Sequence, residues 1–312
     1  MGLVEGKVEE ERLFGDVVFP KTLLPSNTGE DLAIAVAKER NRLSEALKEH
    51  GAILFRGFDV GSAEDFSRVV EAFGWEEMGY VGATTRVKMA NRVFSANEIP
   101  LDQSINFHHE MALTKEYPSK IFFYCFEPAP LGGETSIVPS NVIVEKMEEQ
   151  MLKFMEKVSD IGLIFRITRP KEKIQGSAID NSWKCLLKTN DVVEAEKRAR
   201  EKLSCASVMF NDDGTAEFTY GPVNPVRKFG GKKAWFLPIL GYSENKKGVD
   251  ISFGDGSDVP REAISAYKGI LEENCVDLKW KKGDILLVDN LSVQHSRRPG
   301  KPPRAIYVSI CK

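Results

Sequence analysis

The sequence lacks a hydrophobic run long enough to cross a bilayer. Its longest apolar stretches, such as Ile121 to Cys125, fall far short of the roughly 20 residues that a transmembrane helix needs. It also lacks the apolar core of a secretory leader, and its first residues are rich in glutamate, which argues against a transit peptide. We therefore expect no membrane partner and a cytoplasmic location.

Cysteine and net charge are also scarce. The five cysteines are an odd number with no Cys-x-x-Cys pair, which indicates reduced thiols and not a disulfide framework. The formal net charge is only -3, and neither half of the chain carries a long run of one sign. We therefore expect no nucleic-acid partner, and a small molecule is the expected kind of substrate or ligand.

Histidine is rare, and its placement is informative. Only four histidines occur, and two of them, His108 and His109, stand directly before Glu110. On a strand, His108 and Glu110 would point to one side and His109 to the other. With His295 from a second strand they would form a site of two histidines and one carboxylate. Such a site leaves coordination positions open and favours non-haem Fe(II).

The hydrophobic pattern predicts many short strands, with helices near the beginning and in the connections. Helices are predicted over 31–48, 62–73, 140–156 and 260–274, and strands over 52–55, 92–96, 119–126, 134–138, 233–237, 284–289 and 304–310. His50, at the end of the first helix, is predicted to be a surface residue. The polar region 166–248, anchored by Trp183 and Trp235, is predicted to be an insertion. The pattern favours one α+β domain over residues 1–312, with an antiparallel β-barrel or jelly roll and flanking helices.

Two further residues suit a carboxylate. Thr135 follows the Gly132-Gly133 turn and faces inward if Ile137 does, and Arg304 follows His295 on the predicted last strand. A buried arginine beside a hydroxyl binds a carboxylate through charge-assisted, bidentate hydrogen bonds. The alternative is that Thr135 is only a strand former and Arg304 a surface cation.

Three functional classes remain open from the residues alone. The His-x-Glu spacing is weak by itself, because a core or surface histidine is commoner. Two histidines and a glutamate also bind zinc with an open site, so a zinc-dependent hydrolase competes with an iron oxygenase. A catalytically silent jelly-roll binding protein is the third class. Arg304 discriminates between the two enzymes, because a zinc hydrolase needs no receptor for a carboxylate co-substrate.

Taken together, the motifs resemble the taurine dioxygenase and clavaminate synthase family of Fe(II)/2-oxoglutarate oxygenases over about residues 50–310. The likeness is carried by Phe107-His108-His109-Glu110-Met111-Ala112, Gly132-Gly133-Glu134-Thr135, Arg227 to Phe236, Asp289-Asn290, His295 and Pro303-Arg304. The resemblance implies a double-stranded β-helix, or jelly roll, with flanking helices and a large insertion. It implies that His108, Glu110 and His295 bind iron, and that Thr135 and Arg304 hold the distal carboxylate of 2-oxoglutarate.

The resemblance also implies the reaction. Dioxygen and 2-oxoglutarate would be consumed, succinate and carbon dioxide released, and a small-molecule substrate hydroxylated, desaturated or cyclised. Val308 stands where taurine dioxygenase has a second arginine, so taurine is not expected as the substrate. Glu110 argues against a halogenase, in which a small residue replaces the carboxylate.

The substrate itself is not predicted. Possible substrate contacts are Asn106, which otherwise would cap a loop, and Arg297, which otherwise would be a solvated turn cation. The insertion and the segment 76–97 are expected to shape the pocket.

Overall fold

The computed structural model describes residues 2–81, 86–96, 99–175, 180–241 and 248–312, and the structural statements below refer to this part of the chain. Within it, none of the helices combines the length and the apolar content that crossing a bilayer requires. No disulfide bond joins any two of the five cysteines. The cytoplasmic location stays a prediction.

Alternating and amphipathic segments produce twenty strands and seven helices in the described ranges. The strands are β1 Leu3–Gly6, β2 Arg12–Phe14, β3 Val17–Phe19, β4 Lys21–Pro25, β5 Ala52–Phe55, β6 Lys88–Ala90, β7 Val93–Ser95, β8 Ile105–His108, β9 Lys120–Glu127, β10 Thr135–Pro139, β11 Leu163–Arg169, β12 Ser207–Phe210, β13 Ala216–Val223, β14 Val226–Phe229, β15 Lys232–Trp235, β16 Val249–Phe253, β17 Val276–Leu278, β18 Ile285–Asp289, β19 Val293–Arg297 and β20 Ala305–Cys311. The helices are α1 Leu32–His50, α2 Ala63–Ala72, α3 Ser140–Gln150, α4 Leu152–Ile161, α5 Trp183–Leu187, α6 Val192–Lys202 and α7 Arg261–Asn274.

Two sheets face each other at the centre of the fold. The major sheet has the order β1-β4-β5-β18-β9-β20-β7-β6, and the minor sheet has the order β17-β10-β19-β8. Phe123 and Leu286 of the major sheet belong to the same buried cluster as Ile137 and Val276 of the minor sheet. Burial of these side chains between the sheets stabilises the sandwich. The predicted α+β fold with a jelly-roll core is confirmed.

Helices α1 and α2 cover the outer face of the major sheet, where Leu43 and Phe66 share a buried cluster with Tyr124. Ser62 caps the N-terminus of α2, because its hydroxyl accepts a hydrogen bond from the Asp65 backbone N–H at 3.0 Å. The surface position predicted for His50 is wrong. Its side chain is only 10 % exposed and its Nδ1 lies 2.7 Å from the Val18 carbonyl oxygen.

The region predicted as an insertion contains a sheet of its own, in the order β12-β13-β11-β16. This sheet begins at Leu163 and ends at Phe253, slightly outside the predicted bounds of 166–248. Trp183 and Trp235 are almost completely buried, as predicted for its apolar anchors. The sheet shares a buried cluster with α3, α4 and α7. The assignment of one domain over 1–312 stays a prediction.

Two predicted elements differ from the structure. The helix predicted over 140–156 is divided into α3 and α4 at Met151, whose φ of -130° and ψ of 43° are not helical, and no glycine or proline marks the break. The strand predicted over 233–237 is present and its end is buried, but it is shorter than predicted and joins neither central sheet. It forms β15, which pairs only with β14 across the Gly230-Gly231 turn, because a two-glycine connection favours a local hairpin.

Candidate active site

Pairing of β8 with β19 brings two distant histidines together. His108 lies directly opposite His295, and their ring centroids are 4.4 Å apart. Glu110 lies beyond the end of β8, in a turn, so the predicted strand does not reach it. Its carboxylate nevertheless points to the same side, with Oε2 3.8 Å from His295 Nε2. One nitrogen or oxygen from each of the three residues lies within 4.8 Å of the others.

Asn290 fixes the peptide that carries Glu110. Its Oδ1 accepts a hydrogen bond from the Glu110 backbone N–H at 2.7 Å, and its Nδ2 donates to the Glu110 carbonyl at 3.1 Å. The same Nδ2 donates to the Pro118 carbonyl at 2.7 Å, and the side chain is fully buried. In the sequence, Asn290 was recognisable only as part of a motif and had no predicted role, because its partner Glu110 lies 180 residues away.

His109 points away from the other two ligand candidates, as predicted. It is 1 % exposed, stacks on Phe236 at 4.5 Å, and places Nε2 3.1 Å from the Ser140 hydroxyl. Its Nδ1 lies 2.5 Å from the Asn290 carbonyl oxygen. Burial lowers the pKa of His109 to about 3, so the ring is neutral at physiological pH. His109 packs and hydrogen-bonds behind the site.

Two of the three ligand candidates, His108 and Glu110, are in the protonation states that metal binding requires. Burial, assisted by His295, lowers the pKa of His108 to about 4. Burial acts to raise the pKa of Glu110, but the Arg86 charge and the histidines outweigh it and lower the pKa to about 2. His108 Nδ1 lies 2.7 Å from the Asn106 carbonyl oxygen, which leaves Nε2 for a metal. Among the described residues His295 Nδ1 has no hydrogen-bond partner. Two imidazoles, of which His108 is neutral, and an ionised carboxylate fit Fe(II).

Arg304 and Thr135 meet as predicted. Arg304 stands just before β20 and not on it, and its Nη2 lies 3.4 Å from Thr135 Oγ1. Its Nε donates to the Gly133 carbonyl at 2.8 Å, and Trp280 Nε1 donates to Thr135 Oγ1 at 3.0 Å. Burial, with a smaller effect of Arg297, lowers the pKa of Arg304 to about 10, which still leaves it charged at neutral pH. Nothing in the sequence indicated that Trp280 contacts Thr135.

Gly133 is needed where the turn passes Arg304. Its φ is +71°, and a Cβ added there would lie 3.0 Å from Arg304 Cδ and 3.2 Å from Arg304 Nε. A side chain at this position would therefore push the guanidinium away from Thr135.

A cavity of about 340 Å³ connects the histidine cluster to Arg304 and extends toward the insertion. Phe123 and Ile306 of the major sheet line it, and Phe165 and Tyr220 come from the insertion sheet. Tyr80 lines it from the segment 76–97, of which residues 82–85 and 97 lie outside the described ranges. The expectation that both segments shape the pocket is confirmed for the described residues.

The two predicted substrate contacts have partners within the protein. Asn106 Nδ2 donates to the Leu240 carbonyl at 3.0 Å, and its neighbours Ile105 and His108 line the cavity in its place. Arg297 lines the cavity, but its guanidinium donates to the backbone carbonyls of Ile99 at 2.8 Å, Pro100 at 2.6 Å and Gln103 at 2.7 Å. Arg297 thus fixes the chain that leads into β8. A substrate contact by either residue stays a prediction.

Arg86 is a cavity residue that sequence reasoning missed. Its Nη2 lies 3.4 Å from Glu110 Oε1, its guanidinium lies 4.0 Å from the centre of the Tyr80 ring, and its side chain is 12 % exposed. Arg86 comes from a segment with no recognisable motif, so only the folded chain shows its position beside Glu110.

Iron-dependent oxygenases that consume 2-oxoglutarate are the class of enzyme that this fold and site define. The family model of the taurine catabolism dioxygenase TauD, TfdA family, matches residues 25–309. A clavaminate synthase-like protein of Arabidopsis thaliana is 37% identical, with 99% of this chain and 98% of that protein aligned. The dapdiamide synthesis protein DdaC of Enterobacter agglomerans is 26% identical, over 93% of this chain and 91% of its own. The chain belongs to the TauD/TfdA family, and its cofactors are Fe(II) and, as co-substrate, 2-oxoglutarate.

Solved structures agree on the fold. PvcB of Pseudomonas aeruginosa, described as an Fe, alpha-ketoglutarate dependent oxygenase from an isonitrile synthetic pathway, superposes with a TM-score of 0.56 at 14% identity, over 94% of this chain and 86% of that one. AAD-2, solved in complex with Mn(II) and N-oxalylglycine, has a TM-score of 0.56 at 14% identity, over 100% of this chain and 97% of that one.

Proposed function

We propose that this oxygenase hydroxylates a small-molecule substrate, with desaturation or ring closure as other outcomes of the same chemistry, and releases succinate and carbon dioxide. The observation that carries the proposal is the convergence of His108, Glu110 and His295 within 4.8 Å at the wall of a cavity that also contains Arg304. Two imidazoles and one carboxylate leave positions open for a co-substrate and for dioxygen.

His108, Glu110 and His295 would hold the iron. When bound, the iron supplies the oxidising chemistry with dioxygen and 2-oxoglutarate, and the protein supplies position and shielding from water. The Asn106 carbonyl orients the His108 ring, and Asn290 orients the Glu110 peptide. Such supporting contacts keep ligands in the geometry that the metal requires.

Thr135 and Arg304 would bind the distal carboxylate of 2-oxoglutarate. The Thr135 oxygen already accepts a hydrogen bond from Trp280 and lies beside Arg304, so its own hydroxyl hydrogen is left to donate to the carboxylate. The Gly133 carbonyl holds the guanidinium in place. This receptor supports an oxygenase over a zinc hydrolase, which has no use for it.

The test is anaerobic addition of Fe(II) and 2-oxoglutarate to metal-free protein. We expect a weak visible charge-transfer band, and after admission of dioxygen we expect succinate to form as 2-oxoglutarate is consumed. If no band appears and zinc is retained through purification, the protein is not this oxygenase. Screening metabolites for stimulation of 2-oxoglutarate turnover then identifies the substrate.

A further inference from the structure

Two residues next to the metal-ligand candidates face away from the cavity and meet at one hydroxyl group. His109 stands between two of the candidates, and Gln294 stands directly before the third, His295, on β19. Strand alternation turns Gln294 to the opposite face from His295. His109 Nε2 lies 3.1 Å from the Ser140 hydroxyl oxygen, and Gln294 Nε2 donates to the same oxygen at 3.3 Å. Ser140 thus contacts both segments that carry the ligand candidates.

The hydrogen positions around Ser140 follow from counting donors and acceptors. A serine hydroxyl donates one hydrogen bond and accepts two. Ser140 Oγ accepts from the Trp235 backbone N–H at 2.9 Å and from Gln294, so its own hydrogen is left to donate. His109 Nε2 is a nearer acceptor than the Trp235 carbonyl oxygen, which lies 3.4 Å away. His109 Nδ1 then carries the ring hydrogen and donates to the Asn290 carbonyl.

Ser140 and Gln294 are themselves held by neighbouring elements. Ser140 is the fully buried first residue of α3, and its backbone N–H donates to the Ser292 carbonyl at 2.7 Å. Gln294 Oε1 accepts from the Tyr267 hydroxyl of α7 at 3.2 Å, and Nε2 also donates to the Trp235 carbonyl at 3.3 Å. Within the described ranges, no buried polar side-chain atom of this network lacks a partner. A fully satisfied buried network holds its members in one arrangement.

Strand pairing alone does not hold the segment that carries Glu110. Strand β8 ends at His108, and Glu110 lies in the turn beyond it, where Met111 has a φ of +58°. His109 is therefore the first residue after the strand, and Ser140 holds its side chain. The residues that follow β8 need such side-chain contacts, because no backbone ladder fixes them.

The network reaches the ligand candidates from two directions. From His109 it passes through Asn290, whose side chain bonds to the Glu110 peptide. From Gln294 it is one peptide away from His295. A metal ion would join the same two segments from the cavity side, because its ligands come from both. The Ser140 hydroxyl joins them from behind.

We propose that Ser140 is a positioning residue for the metal centre, whose hydroxyl fixes the spacing between residues 108–110 and β19 before a metal ion binds. This inference rests on the proposed function, because Ser140 has this role only if His108, Glu110 and His295 hold the metal. Ligands that are already in place bind a metal more tightly, since no free energy is needed to bring them together.

Ser140→Ala tests the proposal, because it removes the hydroxyl and leaves the three ligand candidates unchanged. The affinity for Mn(II), measured by competition with a chelator, should fall about tenfold. The charge-transfer band of the anaerobic protein with Fe(II) and 2-oxoglutarate should broaden, because the ligands are held less uniformly. Both quantities are measured well below the melting temperature of each variant, so that only folded protein contributes.

Gln294→Met breaks the other side of the connection. Methionine has nearly the size of glutamine but cannot donate to Ser140, so the Mn(II) affinity should again fall about tenfold. Because either change interrupts the same connection, the double variant should lose about tenfold and not about a hundredfold. If Ser140→Ala does not fold, Gln294→Met by itself decides the question.

Ser67→Ala is the matched control. Ser67 is a buried serine on α2, only 5 % exposed, whose hydroxyl donates to the Asn91 carbonyl at 2.6 Å, and it contacts no member of the network. Its replacement should lower the melting temperature but leave the Mn(II) affinity and the band unchanged. A loss of stability alone would therefore not reproduce the effect expected for Ser140→Ala.

Three results overturn the proposal and leave the proposed function intact. They are an unchanged Mn(II) affinity in folded Ser140→Ala or Gln294→Met, an equal loss of affinity in Ser67→Ala, and a hundredfold loss in the double variant. In each case the wild-type protein still shows the charge-transfer band and forms succinate. A wild-type protein that shows no band and retains zinc overturns the proposed function, and this inference with it.

Discussion

The two ends of the cavity are held in different ways. At the metal end, His108 and His295 lie opposite each other on paired strands, and backbone and side-chain hydrogen bonds hold the ligand candidates from behind. At the far end, Phe165 and Leu186 are held by apolar packing within the insertion cluster. Hydrogen bonds fix the orientation of the side chains that they join, whereas apolar packing mainly requires that the space between the side chains be filled.

This difference suggests that the two ends of the cavity have different functions. The metal end must present the same atoms to iron and 2-oxoglutarate whatever the substrate, so small displacements there should be costly. The far end can change its side chains and accept another substrate without moving the metal ligands. We therefore expect substitutions at one end to leave binding at the other end largely unaffected.

The largest expected effect separates two adjacent histidines. His108→Ala should abolish stoichiometric iron binding, because it removes one of three proposed ligands. His109→Ala should retain iron but destabilise the fold by about 2–4 kcal/mol, because a fully buried, hydrogen-bonded ring is lost. Iron content after desalting and the thermal unfolding midpoint measure the two effects. The reverse pattern would show that His109 and not His108 faces the metal.

Removal of the 2-oxoglutarate receptor should have the next largest effect. Arg304→Gln should raise the dissociation constant of 2-oxoglutarate about 100-fold, because a buried carboxylate loses its charged partner. Titration of the charge-transfer band at fixed Fe(II) measures this constant. At saturating 2-oxoglutarate the band should return, since the metal ligands are untouched.

Arg298 provides the matched control for Arg304. Its guanidinium pairs with Asp277 at 2.8 Å and with Glu272 at 2.6 Å, outside the cavity lining. Arg298→Gln should therefore leave 2-oxoglutarate binding unchanged. An equal loss in both variants would mean that general charge, and not the receptor geometry, holds the co-substrate.

The contrast between the two ends also explains what the sequence could predict. His108 and His295 were recognisable because histidine is rare, and Glu110 because it follows the histidine pair. Glu110 reaches the site from a turn and not from the predicted strand. Thr135 and Arg304 followed from the glycine turn and from the resemblance to a known family. These residues belong to the metal end of the cavity, where binding of iron and 2-oxoglutarate requires particular residue types.

What the sequence could not predict depends on long-range packing. Arg86 approaches Glu110 from a segment with no motif, and Asn290 reaches Glu110 from 180 residues away in the chain. The break at Met151 has no glycine or proline to mark it, and β15 pairs locally because of its Gly-Gly turn. The local sequence predicts secondary-structure elements and rare motifs. The contacts of Arg86 and Asn290 with Glu110, in contrast, form only when the sheets assemble.

Asn290→Ala tests the support behind the metal end. The variant removes the hydrogen bonds to both sides of the Glu110 peptide, so metal affinity should fall by about 10- to 100-fold. Competition with a chelator, with Mn(II) as the titrated ion, measures the affinity without turnover. Asn290→Asp keeps the acceptor for the Glu110 N–H and should recover part of the loss. Unchanged affinity in Asn290→Ala would mean that strand pairing alone positions Glu110.

The smallest expected effect lies at the far end, and it decides whether the two ends are independent. Leu186 lines the cavity and is 8 % exposed, whereas Leu152 at the start of α4 is 57 % exposed and lies outside the lining. Leu186→Ala should weaken binding of the substrate identified by the turnover screen about tenfold, because the removed isopropyl group no longer excludes water from the ligand. Leu152→Ala should change nothing, and neither variant should shift the 2-oxoglutarate titration of the charge-transfer band. The apolar side chains around Leu186 can adjust to the lost volume locally. We therefore expect no shift of the metal-ligand candidates on β8 and β19. A Leu186→Ala protein that lost 2-oxoglutarate affinity as well would show that the insertion also positions the metal end.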